Sequence, residues 1–419
     1  MRALFSVSHW RGIYFHMVPL GWALQAAGHD VRVMCSGPEP VSRAGLIPVP
    51  VLKSFDLMEG ERLARAEALC PPGGPPAGAP PAPAAGRAPG DQHAPFDLAA
   101  QQESYRRALH ANLARNCDAA VAFARSWHPD LVVHDLMSPE GVLAAQVMKV
   151  PSIYYSLGLF GSTEADLHDR SGSFPRHGVH GWDRSRIEYA LDPTPDMMAP
   201  DMGRALRMPI RYLPYNGPGV PAAWMSEPTA RPRICVIWSR SSTAIFGAGL
   251  PVLRHAVEAS LATGAEVVLT AGPEEAALLG DLPDDVRVLT DQPLHLLLEH
   301  CDAIIHTGSV GPMMTAAGLP QLILALTDDG AEMGRRFATA GSALVLPGLA
   351  SGIDDVTAAV RRLCHDMDLR EAARRVGTAL AEHPTAAEWV PALETLARTG
   401  TLSAGDAPSA ADPTSRRNQ

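Results

Sequence analysis

Three short segments carry residues whose types and spacing could do chemistry. The first is Ser8-His9-Trp10-Arg11-Gly12-Ile13, with His16 three residues on, directly after an apolar run at 3–7 and leading into a helix expected to start near Tyr14 or Phe15 and to end before Gly28. A histidine exchanges a proton near neutrality, so His9 or His16 could act as general base toward a hydroxyl if a carboxylate such as Asp135 oriented it. The plain alternative for each is an exposed or capping histidine. The second segment is Ala303-Ile304-Ile305-His306-Thr307-Gly308-Ser309-Val310-Gly311-Pro312, an apolar run, a glycine-bearing turn and helix-compatible residues. Small residues there let backbone N–H groups approach a phosphate, although such a turn also serves tight packing alone. The third is Ser239-Arg240-Ser241-Ser242-Thr243, where hydroxyls and the Arg240 fork could hold a diphosphate, or form an ordinary polar loop.

Other chemistries lack their signatures. The chain has no H-E-x-x-H, no G-x-S-x-G elbow, no G-x-G-x-x-G after a strand, no Walker A lysine and no EF-hand loop. Its six cysteines include no C-x-x-C pair and read as reduced thiols of a cytoplasmic protein.

The elements that must position these segments are short apolar runs alternating with longer helical patterns, the signature of parallel strand–helix–strand units. Runs at 3–7, 31–35, 131–134 and 152–155 fall in the first half. Those at 234–238, 267–270, 286–289, 303–306, 322–326 and 343–346 fall in the second. Between them, 193–232 is dense in Pro and Gly and reads as a linker. The pattern predicts an α/β fold of two doubly wound domains facing across a cleft, with ligands at the C-terminal ends of the strands. The expected boundaries are 1–215 and 216–400, with a disordered tail at 401–419. Residues 71–90 hold thirteen Pro or Gly in twenty, so about 70–95 is expected to be a mobile insertion. Helical periodicity covers 100–126, where Leu109, Leu113 and Cys117 read as a core stripe, and two further helices are expected within 356–381.

The chain has 419 residues, 46% apolar and 19% charged, which supports two cores. Thirty-five basic against 45 acidic residues give a net charge of −10, which disfavours nucleic acid and anionic membranes. No run of 18 apolar residues occurs, and the opening residues read as a strand and not as a signal peptide. A cytoplasmic protein with a small-molecule partner is the expectation.

Three stretches together carry a resemblance: HWRGIYFHMVPLGWALQAAGHDVRVM near the start, RYLPYNGPGVP in the linker, and DQPLHLLLEHCDAIIHTGSVG with GLPQLILALTDDGAEMGRRFATAGSALVLP in the second half. They resemble bacterial natural-product glycosyltransferases of the GT-B fold, and most of all the enzymes that attach nucleotide-activated deoxysugars to polyketide aglycones. The resemblance implies an N-terminal Rossmann-like acceptor domain and a C-terminal nucleotide-sugar domain. A final helix would cross back to the first. It also implies inverting, metal-independent transfer with a TDP- or UDP-sugar as co-substrate and no resident cofactor. An auxiliary protein or a homodimer is an admitted partner.

Laid on the family motifs residue by residue, the chain departs at the chemistry. The family's base histidine falls on Ile13, the second histidine of its H-H-G-G-x-G-T motif on Thr307, the second glycine on Ser309 and the final threonine on Pro312. The Gly-Thr-Ser loop reads Ser239-Arg240-Ser241, and the sugar-binding Asp-Gln pair reads Asp329-Gly330. His306, Gly308, Gly311, Pro320-Gln321, Asp329 and Asp135 are kept. An active transferase then implies His16 or His9 as relocated base, with Asp135 orienting it. Arg240, Ser241, His306, Thr307, Gly308, Ser309 and Gly311 would surround the nucleotide, with Asp329 at the sugar. Trp10, Ile13, Tyr155 and Phe160 would form the acceptor pocket, together with the segment 156–180 and the rings of Tyr154, Phe174 and Trp182, which equally suit a domain core. A second reading is a repurposed pseudo-glycosyltransferase that acts on a natural-product ligand without sugar transfer, or a helper subunit.

Overall fold

The computed structural model describes residues 1–69, 97–227, 229–290 and 292–408. Two parallel sheets organise the chain. The first has β1 (Arg2–Ser6), β2 (Asp30–Met34), β3 (Ile47–Val49), β4 (Leu131–His134), β5 (Ser152–Tyr155), β6 (Tyr189–Asp192) and β7 (Leu206–Pro209), in the order β3-β2-β1-β4-β5-β6-β7. The second has β8 (Arg233–Ile237), β9 (Glu266–Thr270), β10 (Val286–Leu289), β11 (Ala303–His306), β12 (Gln321–Ala325) and β13 (Ala343–Pro347), in the order β10-β9-β8-β11-β12-β13. Central strands such as β4 and β8 are buried along their whole length, because helices cover both faces of a parallel sheet. In both sheets the order reverses at one place, between β1 and β4 and between β8 and β11. At such a switch point neighbouring strand-end loops diverge and leave a crevice.

The long helix Leu98–Trp127 is started by Asp97, whose side chain accepts from the Ala100 amide, and is stopped by His128 in the left-handed conformation. The two helices expected within 356–381 are Ile353–His365 and Met367–Glu382. Three expectations need correction. The stretch 193–232 is not all linker, since β7 lies inside it and pairs in parallel with β6. Its proline closes a strand on the outer edge of the sheet, where a missing N–H is tolerated. The expected tail is ordered at its start: Leu402 is buried and donates its amide to the Tyr189 hydroxyl at 3.1 Å. The first helix opens at Arg11 and not at 14–15. It runs as Arg11–Tyr14, a 3-10 turn Phe15–Met17 and then Val18–Ala26. The insertion at about 70–95 lies outside the described residues.

The two halves are joined by packed side chains. The last helix, Ala386–Thr399, returns to the first body. Trp389 is 1% exposed among Val18, Leu20 and Leu24, and its indole N–H donates to the Pro209 carbonyl at 2.8 Å. Leu157, Leu159 and Met198 of the first body enter an apolar cluster with Val310, Met313, Met314 and Phe337 of the second. Leu159 holds φ +66°, a strained value for a leucine. Two bonds fix it there: its amide donates to Thr194 Oγ1 at 2.7 Å, and its carbonyl accepts from Arg336.

Candidate functional site

The first switch point holds an open groove lined by strand-end loops and one long helix. Strand-end loops supply one wall: Val7, Ser8 and His9 after β1, Ser36 after β2, Leu52 and Lys53 after β3, and Met137, Pro139 and Glu140 after β4. The opposite wall is the long helix, through Leu109, Asn112, Leu113 and Asn116, with Phe55 and Leu57 at one side. Asp166, His168 and Arg170 complete the rim. Two asparagines hold the wall in place. Asn116 accepts from the Lys53 amide at 2.8 Å and donates to its carbonyl at 3.1 Å, while Asn112 donates to the Ser54 carbonyl at 3.2 Å.

Asp135 builds this region. It is fully buried; one carboxylate oxygen accepts from the Ser8 amide at 2.6 Å, the other from the Met137 amide at 2.9 Å and the Ser138 hydroxyl at 2.8 Å. Burial pushes its carboxyl upward while these bonds oppose the shift. Its expected role is thereby corrected. Its carboxylate makes no described hydrogen bond to a histidine ring and positions His9 through the backbone of the preceding residue, while its carbonyl accepts from His134 Nδ1 at 3.0 Å.

The two candidate histidines are separated by their surroundings. His16 is 7% exposed, donates through Nε2 to the Tyr155 carbonyl at 3.2 Å, and packs edge-on to the Tyr155 ring at 4.7 Å. Burial pulls it down to about 3, so it stays neutral and walled off; the expectation that it is the base is corrected. His9 is exposed on the groove, with Nδ1 3.1 Å from Ser36 Oγ. When Nδ1–H donates to that hydroxyl, Nε2 keeps its lone pair and can accept a proton.

None of the four expected pocket residues lines the groove. Tyr155 is core, packed on His16, because its strand position faces inward. Ile13 and Phe160 pack against the apolar cluster between the two bodies, and Trp10 precedes the first helical turn. Ile13 thus occupies the position of the family's base histidine as part of an apolar seal. Tyr154, Phe174 and Trp182 belong to another core cluster. Conversely, Leu109 and Leu113, read as core stripe, face the groove, while Cys117 one turn on is buried. Sequence reasoning missed Glu140 altogether. The signal was there in the strand-end text Asp135-Leu-Met-Ser-Pro-Glu140 beside the first loop.

At the second switch point the loops after β8 and β11 are tied by hydroxyls. Ser239 Oγ lies 2.9 Å from Ser241 Oγ and 2.7 Å from Ser242 Oγ, and Ser242 Oγ lies 2.8 Å from Thr307 Oγ1. Thr307 is therefore buried and already hydrogen-bonded, which corrects its expected place against a ligand. His306 is corrected likewise. It is 2% exposed; Nε2–H donates to Gln321 Oε1 at 3.0 Å and Nδ1 accepts from the Gly308 amide at 3.2 Å. Gln321 in turn donates to the carbonyls of Met313 and Ala316, at 3.0 and 3.2 Å. Burial pulls His306 down to about 4, which keeps Nδ1 an acceptor.

Gly308 holds φ +98°, and a Cβ there would stand 3.0 Å from Gly330 Cα. The two glycines need each other, since backbone packs directly on backbone. That contact accounts for a glycine where the family pair carries a longer side chain. Ser309 and Gly311 flank the start of the helix Val310–Thr315, and Arg240 and Asp329 are exposed in the first turns of their helices. Among the described residues, no group of three or more His, Cys, Asp or Glu is placed to hold a metal ion. No helix among them is long and apolar enough to cross a membrane.

Comparison with known proteins adds a second line of support. Residues 22–238 match the family model described as erythromycin biosynthesis protein CIII-like, N-terminal domain, and residues 254–396 match the corresponding C-terminal domain. The 10-deoxymethynolide desosaminyltransferase of Streptomyces venezuelae is 32% identical over 425 residues, covering 95% of this chain and 97% of the relative. The crystal structure of the glycosyltransferase SnogD from Streptomyces nogalater superposes with a TM-score of 0.71 at 30% identity, covering 94% and 99% of the two chains. That of the glycosyltransferase VinC, in complex with dTDP, gives 0.69 at 29% identity over 95% and 100%.

Proposed function

Because this chain belongs to the erythromycin biosynthesis protein CIII-like glycosyltransferases, we propose that it transfers a deoxysugar from a TDP- or UDP-sugar to a polyketide-type aglycone. The observation that carries the reading is that 95% of the chain, both sheets included, aligns with a desosaminyltransferase. The geometry supports the division of labour. The body up to about residue 215 would bind the aglycone in its mostly apolar groove. The body at 216–400 would bind the nucleotide-sugar at the crevice between β8 and β11.

On this reading the fold brings two switch points toward one cleft, the arrangement that a two-substrate transfer requires. His9 Nε2 takes the proton of the acceptor hydroxyl, the oxygen attacks the anomeric carbon, and the nucleoside diphosphate leaves from the opposite face with inversion. Arg240, Ser241, Ser309 and the Gly311 turn surround the departing charge, and Asp329 stands beside the sugar. His306, Thr307 and Gly308 shape that loop from beneath. The nucleotide-sugar is a co-substrate, and the scheme uses no metal. No observation favours the alternative in which sugar transfer has been lost.

The test has two stages. Calorimetry with TDP and UDP comes first, and binding near micromolar affinity is expected, about −8 kcal/mol. Mass spectrometry of 10-deoxymethynolide incubated with TDP-deoxysugars then scores transfer. His9→Ala should lower the rate by about 10²–10⁴-fold. No nucleotide binding at millimolar concentration refutes the transfer reading, and an undiminished rate in the His9 variant refutes the base.

A further inference from the structure

The groove contains one buried ionisable side chain that the transfer chemistry leaves unused. Glu140 is 4% exposed, at the second position of the helix Pro139–Met148, and lines the groove. No other described residue gives its carboxyl a hydrogen bond; its one polar partner is its own backbone. The titratable groups around it come from every neighbouring element: Asp135 after β4, Cys117 on the long helix, His9 and Lys53 on the loops after β1 and β3, and Asp166, His168 and Arg170 on the rim. Of these, the Asp135 carboxyl acts on Glu140 as a like charge, and Glu140 in turn helps burial push the Cys117 thiol up.

A carboxyl removed from water, unpaired with a cation and close to a second carboxyl is held in its neutral form. Burial accordingly pushes Glu140 up to about 8. The neutral form differs from the ion in kind, because it can donate an O–H hydrogen bond, whereas a carboxylate only accepts.

We infer that Glu140 anchors the aglycone, its neutral carboxyl donating a hydrogen bond to a carbonyl oxygen of the acceptor. The inference rests on the groove being the acceptor site and deepens that reading. It gives the groove a chemical preference: a ring skeleton with apolar faces and a carbonyl at the depth of Glu140. A ligand without that carbonyl would leave the carboxyl buried and unpaired, which is how such sites reject analogues.

The experiment compares the wild type with Glu140→Gln and Glu140→Leu, using no sugar donor. Infrared difference spectra follow the C=O stretch of a protonated carboxyl, and calorimetry follows binding of the carbonyl-bearing aglycones 10-deoxymethynolide and aklavinone. At neutral pH the wild type should show a protonated-carboxyl band that Glu140→Gln lacks, and an aglycone should shift it. Glu140→Gln, whose amide also donates, should bind within about twofold of the wild type and Glu140→Leu about tenfold more weakly. Wild-type affinity should fall as pH rises through about 8, while that of Glu140→Gln stays level. A missing band, a band that neither aglycone moves, or an affinity that rises with pH overturns the inference. Transfer is scored separately with TDP-sugars, so an intact band shift without transfer refutes the transferase reading and leaves the anchor standing.

Discussion

Replacing Gln321 by Met tests whether the β11 loop is held by a buried polar relay. Gln321 is fully buried, and its amide makes three hydrogen bonds: to the Met313 and Ala316 carbonyls at 3.0 and 3.2 Å and from His306 Nε2 at 3.0 Å. Methionine fills nearly the same volume and makes none of them, so the packing term stays small. Each bond contributes about 0.5–1.5 kcal/mol net, and orphaning the His306 N–H adds about 1–3 kcal/mol of unrecovered desolvation. A loss of about 3–7 kcal/mol follows, a large part of the ~5–15 kcal/mol that holds a domain folded. Urea denaturation of both proteins measures it, provided that the slopes agree. His306→Leu supplies a double-mutant cycle: on the Gln321→Met background its cost should shrink, since the bond between the two is already gone. The Gly308 amide also loses its acceptor in the His306 variant, so TDP should bind more weakly there. A loss below about 1 kcal/mol, or strictly additive effects, would refute the relay.

Stability should fall in mild acid. Burial lowers His16 to about 3 and His134 and His306 to about 4, against an ordinary 6.5, so between these values the unfolded chain binds the extra protons. The stabilisation is complete above about pH 6.5 and drains away toward about pH 4. The slope reaches at most about 1.4 kcal/mol per pH unit for each histidine, and a flat urea midpoint over that range would contradict the burial argument. Glu140 works in the opposite sense. Its raised value means that stability is lost as pH climbs from about 4.5 through about 8, so Glu140→Gln should melt progressively higher than the wild type across that window. The gain is bounded at about 4–5 kcal/mol, and parallel melting curves at all pH values would count against it. Trp389→Ala should cost about 3–5 kcal/mol, because it empties the seat of the returning helix and leaves the Pro209 carbonyl without its donor. A change under about 1 kcal/mol by thermal or urea melting would show that this helix does not brace the first body.

The sequence by itself determined the class of fold, the family resemblance and the two loop regions where chemistry gathers. These are local properties. A strand buried on both faces must be written in apolar residues, as Leu131–His134 and Arg233–Ile237 largely are, and a strand-end turn must carry small residues. Only the tertiary structure decided which residues of those loops meet a ligand. His9 and His16 look equivalent in the text, seven residues apart. Yet His16 is sealed by Tyr155, 139 positions away, and His9 is set at the groove by Asp135, which grips the Ser8 amide from 127 positions away. The aromatic residues Tyr154, Tyr155 and Phe174 became core, and Leu109 and Leu113 became groove wall. Helical periodicity reports which face is covered, and says nothing of whether protein or ligand covers it. For Glu140 the text offers only its place in a strand-end loop. Its character comes from burial, the lack of an ion-pair partner among the described residues and a neighbouring carboxyl, quantities that exist only once distant segments have closed around it.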